Sequence, residues 1–456
     1  MAGHSASLAA PRDRLSFLRG LLPWVAIALV AGLLPGMIVG GGLLGWGAIA
    51  LLAGAGVAVL VWFWPGTAVG LLPLLILPPE FARMFAHEVG LLALAALLVA
   101  HGMRTRANWL WRLEAPEAVF VALLLWGLLS GFWSGSTWWW MFGVRKAGMG
   151  FLALWTAWRV ARFVGGRDLR FGITLTAMAI ALYVLIKAAA WGALSSNGWV
   201  DRKLSTDVGW GTSNYLAALL VLTLPTALEV ALRDPRPAVR VLAWLPMPLA
   251  MLMMTATASR GGILLVLAIA LLSIFRRRAS GRTLVFVVMV AVVGVLGAIA
   301  PAGSRLISRF TDARELGSVV IRLMYFREGW RRMVAAWPWG LGIGQGYVTI
   351  DRLGAIDPHD YWLVVGSELG LVGLVLWAGV LFLLWRRAGR LLRDPRDASA
   401  GWSLRLTFVL AFVNCLFEPT FSGLQYQFLF FWIAGCYLGS ASTEVAAAGT
   451  DSRSAR

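Results

Sequence analysis

Apolar runs close to 20 residues long recur along nearly the whole chain, and they constrain its fold more than any other feature. An α-helix needs about that length to cross the hydrocarbon of a bilayer. Only 14% of the 456 residues are charged, against about 25% in an ordinary soluble domain, so a water-soluble core could not absorb this apolar surface. Backbone polar groups must be satisfied internally in lipid, and the sequence therefore predicts an all-α, polytopic transmembrane helical bundle.

We predict about fourteen spans, or twelve if prolines and glycines before residue 80 remove one early hairpin. The predicted spans are 21–39, 43–64, 66–79, 88–103, 116–133, 143–161, 170–191, 212–231, 240–256, 261–275, 283–300, 360–385, 403–417 and 426–440. The predicted domains are a tail (1–20), a transmembrane bundle (21–300), a large hydrophilic loop (301–358), the C-terminal transmembrane helices (359–440) and a second tail (441–456).

Arginine is unevenly distributed between alternate loops, which predicts the orientation in the membrane. Basic residues are retained in short cytoplasmic loops. The arginine-rich connections lie near residues 104–112, 159–170, 233–240, 276–282 and 386–405. Both termini are therefore expected in the cytoplasm, with the large loop on the outer side of the membrane. The net charge of +18 reflects topology, and charges spread over loops do not form the basic groove that a nucleic-acid partner needs.

The large loop contains a predicted amphipathic helix. Its apolar residues recur at helical spacing: Leu323, Phe326, Trp330, Val334 and Trp337. Arginines occupy much of the remaining surface, and the loop holds eight arginines, no lysine and five acids. One interpretation is a helix on the membrane interface. The other adds a phosphate site, because the arginine fork binds phosphate oxygens bidentately and stays charged.

His359 follows a pattern typical of a helix start. Asp357 is the predicted N-cap, Pro358 the first helical residue, and His359 and Asp360 lie in the predicted first turn. A transmembrane helix is expected to begin there, with His359 on nearly the same face as Gly366, Gly370 and Gly373. Small residues at that spacing allow close helix packing, so the histidine is predicted to point into the bundle.

The predicted position of His359 suits a general base, because a helix N-terminus disfavours the imidazolium form. The alternative is an interfacial or capping histidine. Arg260 lies in Ser259-Arg260-Gly261-Gly262 at the junction of two spans, where glycines let a ligand approach closely. Its alternative is an arginine that extends toward the headgroups, which is common at helix ends.

Several ordered motifs together resemble the O-antigen ligase family, which is related to O-antigen polymerases and protein O-oligosaccharyltransferases. The resemblance spans roughly Trp126 to Trp385. Its elements are Gly211-Thr212-Ser213-Asn214-Tyr215-Leu216-Ala217, Ser259-Arg260-Gly261-Gly262, Arg322 through Trp330 with Pro338, Gly340, Gly342 and Gly344, and His359 with Glu368, Gly370 and Gly373. The histidine is commonly followed by asparagine in this family, whereas Asp360 stands there in this chain.

The resemblance implies a GT-C type glycosyltransferase that needs no metal and no other cofactor. The implied donor is a glycan on undecaprenyl diphosphate at the periplasmic face, and the implied acceptor is a sugar hydroxyl of lipid A–core. Mapped onto this sequence, His359 is the expected base, Arg260 and Arg322 are expected to hold the diphosphate, and Arg327 and Arg202 are weaker candidates.

Two other classes of function stay open at this point. A polymerase or a protein-glycosylating transferase would share the donor and differ in the acceptor. A non-enzymatic transporter of lipid-linked glycans would also place arginines around a diphosphate, but it would not need His359.

Overall fold

The computed structural model describes residues 64–76, 80–105, 111–190, 213–256, 259–274, 287–288, 290–295, 316–350, 354–356, 358, 360–416, 418 and 420–454. Within these residues the secondary structure is helical apart from one short hairpin, which agrees with the all-α prediction. The predicted spans 21–39 and 43–64 lie outside the described residues, and 283–300 is described only in part.

Thirteen α-helices lie within the described residues. They are α1 (Pro65–Leu71), α2 (Glu80–Thr105), α3 (Ala115–Leu129), α4 (Thr137–Val160), α5 (Gly166–Ala190), α6 (Ser213–Arg233), α7 (Pro237–Trp244), α8 (Pro246–Ala256), α9 (Arg260–Ile274), α10 (Leu316–Ala335), α11 (Tyr361–Arg393), α12 (Ala398–Cys415) and α13 (Leu424–Ser454). Short 3-10 helices occupy Leu72–Ile76, Ser130–Phe132 and Thr420–Ser422. The hairpin pairs β1 (Val348–Ile350) with β2 (Gly354–Ile356) in antiparallel register.

Seven helical stretches among the described residues are long and apolar enough to cross a membrane. They are Glu88–Thr105, Ala115–Phe132, Gly166–Ile186, Asn214–Arg233, Pro237–Thr255, Tyr361–Arg393 and Ala398–Cys415. Shorter apolar helices cover Pro65–Leu74 and Gly261–Ser273. A polytopic helical membrane protein is thus confirmed, whereas the total of twelve to fourteen spans stays a prediction.

The core is centred on α4 and α13, which approach each other closely. A Cβ added to Gly439 would lie 2.2 Å from the carbonyl oxygen of Trp158, and one added to Gly435 would lie 2.7 Å from that of Leu154. Small residues are what allow two helix backbones to come this near in lipid. Helices α3 and α12 pack against α11, and α6 packs between α5 and α12.

Helix α11 is broken in its first half at Gly370. This residue has φ 64° and ψ −157°, a backbone conformation that essentially only glycine adopts. The broken turn is hydrogen-bonded from outside the helix, since Leu371 N donates to Pro338 O at 2.8 Å and Trp126 Nε1 donates to Leu369 O at 2.9 Å. In lipid these partners replace the helical bonds that the break removes.

The partner of the break is the glycine-rich segment 338–344, one of the motifs noted in the sequence. Gly340, Gly342 and Gly344 all have positive φ. A Cβ on Gly340 would lie 2.4 Å from the carbonyl oxygen of Glu368, and the backbone N–H of Gly342 donates to that same oxygen at 2.8 Å. The motif glycines therefore let this segment lie directly against the broken turn of α11.

The start of α11 differs from the sequence prediction. Asp360 is the N-cap, with its Oδ1 accepting from Leu363 N at 3.0 Å, and Tyr361 is the first helical residue. The prediction of Asp357 as N-cap with Pro358 at the first helical position was wrong by three residues. Both positions offer an aspartate followed by residues compatible with a helix, and Asp360 is buried and makes a capping bond.

Candidate functional site

A chain of polar contacts joins four segments at one end of the bundle. Arg322 Nη2 of α10 lies 2.5 Å from Oε1 of Glu418, which is in the turn between α12 and α13. Asn214 Nδ2, at the start of α6, donates to the same oxygen at 2.7 Å. Ser259 Oγ, just before α9, donates to Asn214 Oδ1 at 3.2 Å. These four residues form what we term the Arg322–Glu418 cluster.

The Ser259 to Gly262 motif explains why α9 begins at this cluster. Ser259 Oγ accepts from Gly262 N at 3.3 Å, as a serine does when it caps a helix. A Cβ on Gly262 would lie 2.6 Å from Cβ of Ala217, so the glycine allows α9 to approach α6. Asn214 is near the start of α6, and the motif therefore brings two helix N-termini to the same place.

Helix α10, which carries Arg322, confirms the predicted amphipathic helix. The residues buried against the protein are Tyr325, Gly329 and Met333, spaced one turn apart. Gly329 packs on Pro358, and Met333 packs on Gly366 of α11.

The predicted apolar face of α10 points away from the protein. Its five residues are all exposed: Leu323, Phe326, Trp330, Val334 and Trp337. An exposed apolar stripe on a helix of a membrane protein is suited to the lipid interface. This arrangement agrees with the interfacial interpretation of the loop helix and does not exclude a role for its arginines, because Arg322 projects toward the cluster instead.

The Arg322–Glu418 pair is partly shielded from water. The Glu418 side chain is 11% exposed, whereas the Arg322 side chain is 41% exposed. A guanidinium has five N–H donors, and Glu418 contacts it through one nitrogen. The arginine is thus anchored at one end and accessible at the other, which is a suitable arrangement for binding an anion.

Glu418 was missed by the sequence reasoning. It lies in a short connection between two apolar helices and belongs to none of the motifs that carry the family resemblance. The available signal was an acidic residue between two predicted spans, at the end of the bundle that holds the other motifs. A carboxylate in such a position usually has a partner, because a buried unpaired charge is costly.

The chain at the start of α11 contacts two of the elements that carry the cluster. Pro358 is buried against Gly329 of α10, and the ring of Tyr361 contacts that of Phe421 at 5.4 Å between centroids, three residues beyond Glu418. His359 itself lies outside the described residues. Pro358 and Tyr361, which flank it in the sequence, contact the two elements that carry Arg322 and Glu418.

Asp360 is 6% exposed, and its environment disfavours a charge. Burial raises the pKa of the Asp360 carboxyl above its ordinary value, and the N–H groups of Leu363 and Trp362 offset part of that rise. Asp360, which follows the predicted base, therefore lies in a poorly solvated position. Its main structural contribution is the hydrogen bond that caps the start of α11.

The structure brings together only part of the predicted site. Arg322 is in the cluster, whereas Arg327 is exposed on α10 and is not one of the cluster contacts. Arg260 is the first residue of α9 and directly follows Ser259, but its side chain is not described. Arg202 lies outside the described residues. The roles assigned to His359, Arg260, Arg327 and Arg202 all stay predictions.

Together, the fold and the cluster define a multi-pass helical membrane protein with an arginine-containing polar site at one end of its bundle. Residues 245–378 match the family model described as O-antigen ligase. This match covers 245–378 of the 456 residues and supports the resemblance to that family that the motifs predicted. A comparison with curated proteins finds no match. The matched segment contains Ser259 and Arg322, but Asn214 and Glu418 lie outside it.

Proposed function

We propose that this protein transfers a glycan from undecaprenyl diphosphate to a sugar hydroxyl of lipid A–core at the periplasmic face of the inner membrane. The observation that supports the proposal best is the Arg322–Glu418 cluster. It joins three segments that carry the family motifs and holds Arg322 through Glu418 while part of the arginine side chain stays exposed.

In the proposed reaction the acceptor hydroxyl oxygen attacks the anomeric carbon of the donor sugar and inverts it. His359 takes the hydroxyl proton as the new carbon–oxygen bond forms. The bond between the anomeric carbon and the diphosphate breaks, and its electron pair leaves with the diphosphate oxygen. A positioned base is worth about 10²–10⁴-fold in rate for such a weak nucleophile.

The arginines are proposed to stabilise the departing diphosphate. Arg322 and Arg260 supply the main positive charge, and Arg327 and Arg202 support them. Donors fixed before the reaction stabilise developing charge without reorganising. Glu418 and Asn214 supply that fixation for Arg322, so Glu418 is proposed as a positioning residue rather than a catalytic one.

The test is reconstitution of the purified full-length protein in liposomes with an undecaprenyl-diphosphate glycan. Three acceptors are supplied in separate reactions: lipid A–core, a second donor molecule and a pilin-like peptide. Product on lipid A–core supports the ligase. Product only on the second donor or only on the peptide would identify a polymerase or a protein-glycosylating enzyme instead.

Two variants test the residue roles within that assay. His359→Ala is expected to lose most of the transfer, and wild-type transfer in this variant would remove the histidine from the mechanism. Arg322→Lys keeps the charge but loses the fork, so donor binding is expected to weaken. Arg331→Lys is the matched control, because Arg331 lies on the same helix, is 76% exposed and pairs with Glu328 outside the cluster.

Chelator inhibition that magnesium reverses would contradict a metal-independent reaction.

The transporter alternative is separated by the same preparation. A transporter would move labelled lipid-linked glycan across the bilayer without any acceptor, and His359→Ala would leave that movement unchanged. Transfer to a sugar hydroxyl without such movement would exclude this alternative.

A further inference from the structure

A second arginine-lined site lies at the opposite end of the bundle from the Arg322–Glu418 cluster. It is a cavity of about 1210 Å³ whose walls come from the start of α5, the turn between α6 and α7, and the turn between α11 and α12. Helix α6 connects the two ends, since Asn214 lies in the cluster and Arg233 lines the cavity. At about 1.5 Å per residue the two sites are roughly 30 Å apart.

The cavity carries a surplus of positive charge. Its lining contains five arginines and three acidic residues: Arg167, Arg170, Arg233, Arg236, Arg396, Asp168, Glu229 and Asp234. Asp394 and Asp397 lie in one of the turns that bound it but are not part of the lining. Arginines from three separate segments thus line one concave space. Charges dispersed over unrelated loops would not be gathered in this way.

The three acids in the lining are already engaged by arginines. Arg236 Nη2 lies 2.9 Å from Asp234 Oδ2, and Arg236 Nη1 lies 2.6 Å from Asp168 Oδ1. Burial alone would raise the pKa of Asp234, but its hydrogen bonds and charge interaction with Arg236 lower it overall. Arg170 Nε lies 3.5 Å from Glu229 Oε1, at the buried end of the cavity.

Glu229 is held from several directions, so the floor of the cavity is rigid. Tyr437 Oη donates to Glu229 Oε2 at 2.7 Å, and Ser399 Oγ donates to Oε1 at 3.3 Å. Glu229 is only 3% exposed. Its charge is therefore balanced within the floor and does not repel an anion at the mouth.

The remaining arginines of the lining are accessible to solvent. Arg167, Arg233 and Arg396 are exposed, and among the described residues none of the three forms a salt bridge. Trp402 and Leu392 complete the wall with apolar surface. Tryptophan is enriched at the level of the lipid headgroups, and basic pockets between transmembrane helices on the cytoplasmic side suit phosphate headgroups.

We propose that this cavity binds the headgroup of an anionic phospholipid of the surrounding membrane. The arginines supply bidentate contacts to phosphate oxygens, and the apolar wall accommodates the first part of the acyl chains. A single inorganic phosphate would fill only a small part of such a volume. The inference does not depend on the proposed transfer reaction, since the site is at the other end of the bundle.

The experiment uses the delipidated full-length protein in nanodiscs made of phosphatidylcholine. Cardiolipin or phosphatidylglycerol is titrated in, and bound lipid is counted by native mass spectrometry. The test variant is Arg233→Gln with Arg396→Gln. The matched control is Arg386→Gln with Arg390→Gln, which removes the same charge from exposed positions on α11 that do not line the cavity.

The wild type is expected to retain anionic phospholipid in preference to phosphatidylcholine. The test variant removes two arginines and is expected to lower the apparent affinity about 30-fold, which corresponds to about 2 kcal/mol, while the control changes little. An equal loss in both variants would show general surface attraction and overturn the proposal. Displacement of the lipid by millimolar inorganic phosphate would overturn the assignment to a headgroup and indicate a soluble anion.

Discussion

The broken turn of α11 offers the sharpest test of how this fold is held together. Gly370 adopts φ 64° and ψ −157°, and a Cβ added there would lie 1.9 Å from the carbonyl oxygen of Pro338. The substitution Gly370→Ala therefore strains the backbone of α11 and drives it away from the glycine-rich segment. The hydrogen bonds from Leu371 N to Pro338 O and from Trp126 Nε1 to Leu369 O depend on that contact.

The expected loss of stability follows from these contacts. A non-glycine residue in this backbone region costs about 1–3 kcal/mol. Each of the two hydrogen bonds contributes about 0.5–1.5 kcal/mol, so the total loss for Gly370→Ala is about 2–6 kcal/mol. The upper part of that range applies if the freed backbone groups find no water within the membrane.

The matched control is Gly379→Ala, nine residues further along the same helix. Gly379 is helical, and its added Cβ would meet only Cγ1 of Val119 at 3.3 Å. Alanine there gains helix propensity of up to about 1 kcal/mol, so little net change is expected.

Both variants are unfolded with denaturant in detergent micelles, with tryptophan fluorescence as the signal. If Gly370→Ala unfolded at the same denaturant concentration as Gly379→Ala, the strain argument and the role of the break would both be refuted.

Three further substitutions test individual contacts. Glu418→Gln keeps an oxygen for Asn214 but removes the charge that holds Arg322. Donor titration is expected to show a raised KM, and the free energy of unfolding is expected to change by less than about 1 kcal/mol because the arginine is half exposed. An unchanged KM would contradict the positioning role of Glu418. Asp360→Asn keeps the helix cap but removes the ionisable group. Because the folded-state pKa of Asp360 is raised, wild-type stability falls as pH rises from the ordinary aspartate pKa through the raised value. Unfolding curves of the variant should lack that fall, and the same pH dependence in both proteins would contradict the raised pKa. Trp126→Phe removes one hydrogen-bond donor and should lower the free energy of unfolding by about 1 kcal/mol, which equilibrium unfolding would detect or refute.

Much of the architecture could be predicted because it follows from local patterns. The apolar runs identify α3, α5, α6 and α12, since length and hydropathy alone decide whether a helix crosses lipid. The amphipathic helix α10 followed from its spacing. Which side of α10 would face the protein could not be predicted from the pattern, because lipid and protein interior both accept apolar residues, and the small residue Gly329 selected the buried side.

The start of α11 shows the limit of local signals. Asp357 and Asp360 are both acceptable N-caps by residue type, and Pro358 favours a start at the earlier one. Packing of Pro358 on Gly329 and of Tyr361 on Phe421 places the helix three residues later. Those are contacts between segments far apart in sequence, and no window around residue 359 contains them.

The candidate site could be predicted only in part, because some of its contacts join segments that are far apart in sequence. Arg322 was assigned through the motif that resembles the family, and Ser259 lay in a motif that also explains the start of α9. Glu418 is 96 residues from Arg322, and their pairing depends on the assembled bundle. The break at Gly370 likewise required the structure, since a glycine inside an apolar run is as compatible with helix packing as with an interruption.

The position of Arg322 also bears on the kind of donor. Helix α10 exposes Leu323, Phe326 and Trp330 on its outer side, which suits the boundary between lipid and water. Its inner side packs through Gly329 on Pro358, and Arg322, about two turns earlier, is held by Glu418. The diphosphate of a lipid-linked glycan lies at the headgroup level, because its hydrocarbon must remain in the bilayer. The apolar outer side of α10 together with an arginine held by Glu418 supports the proposed lipid-linked donor over a soluble nucleotide sugar.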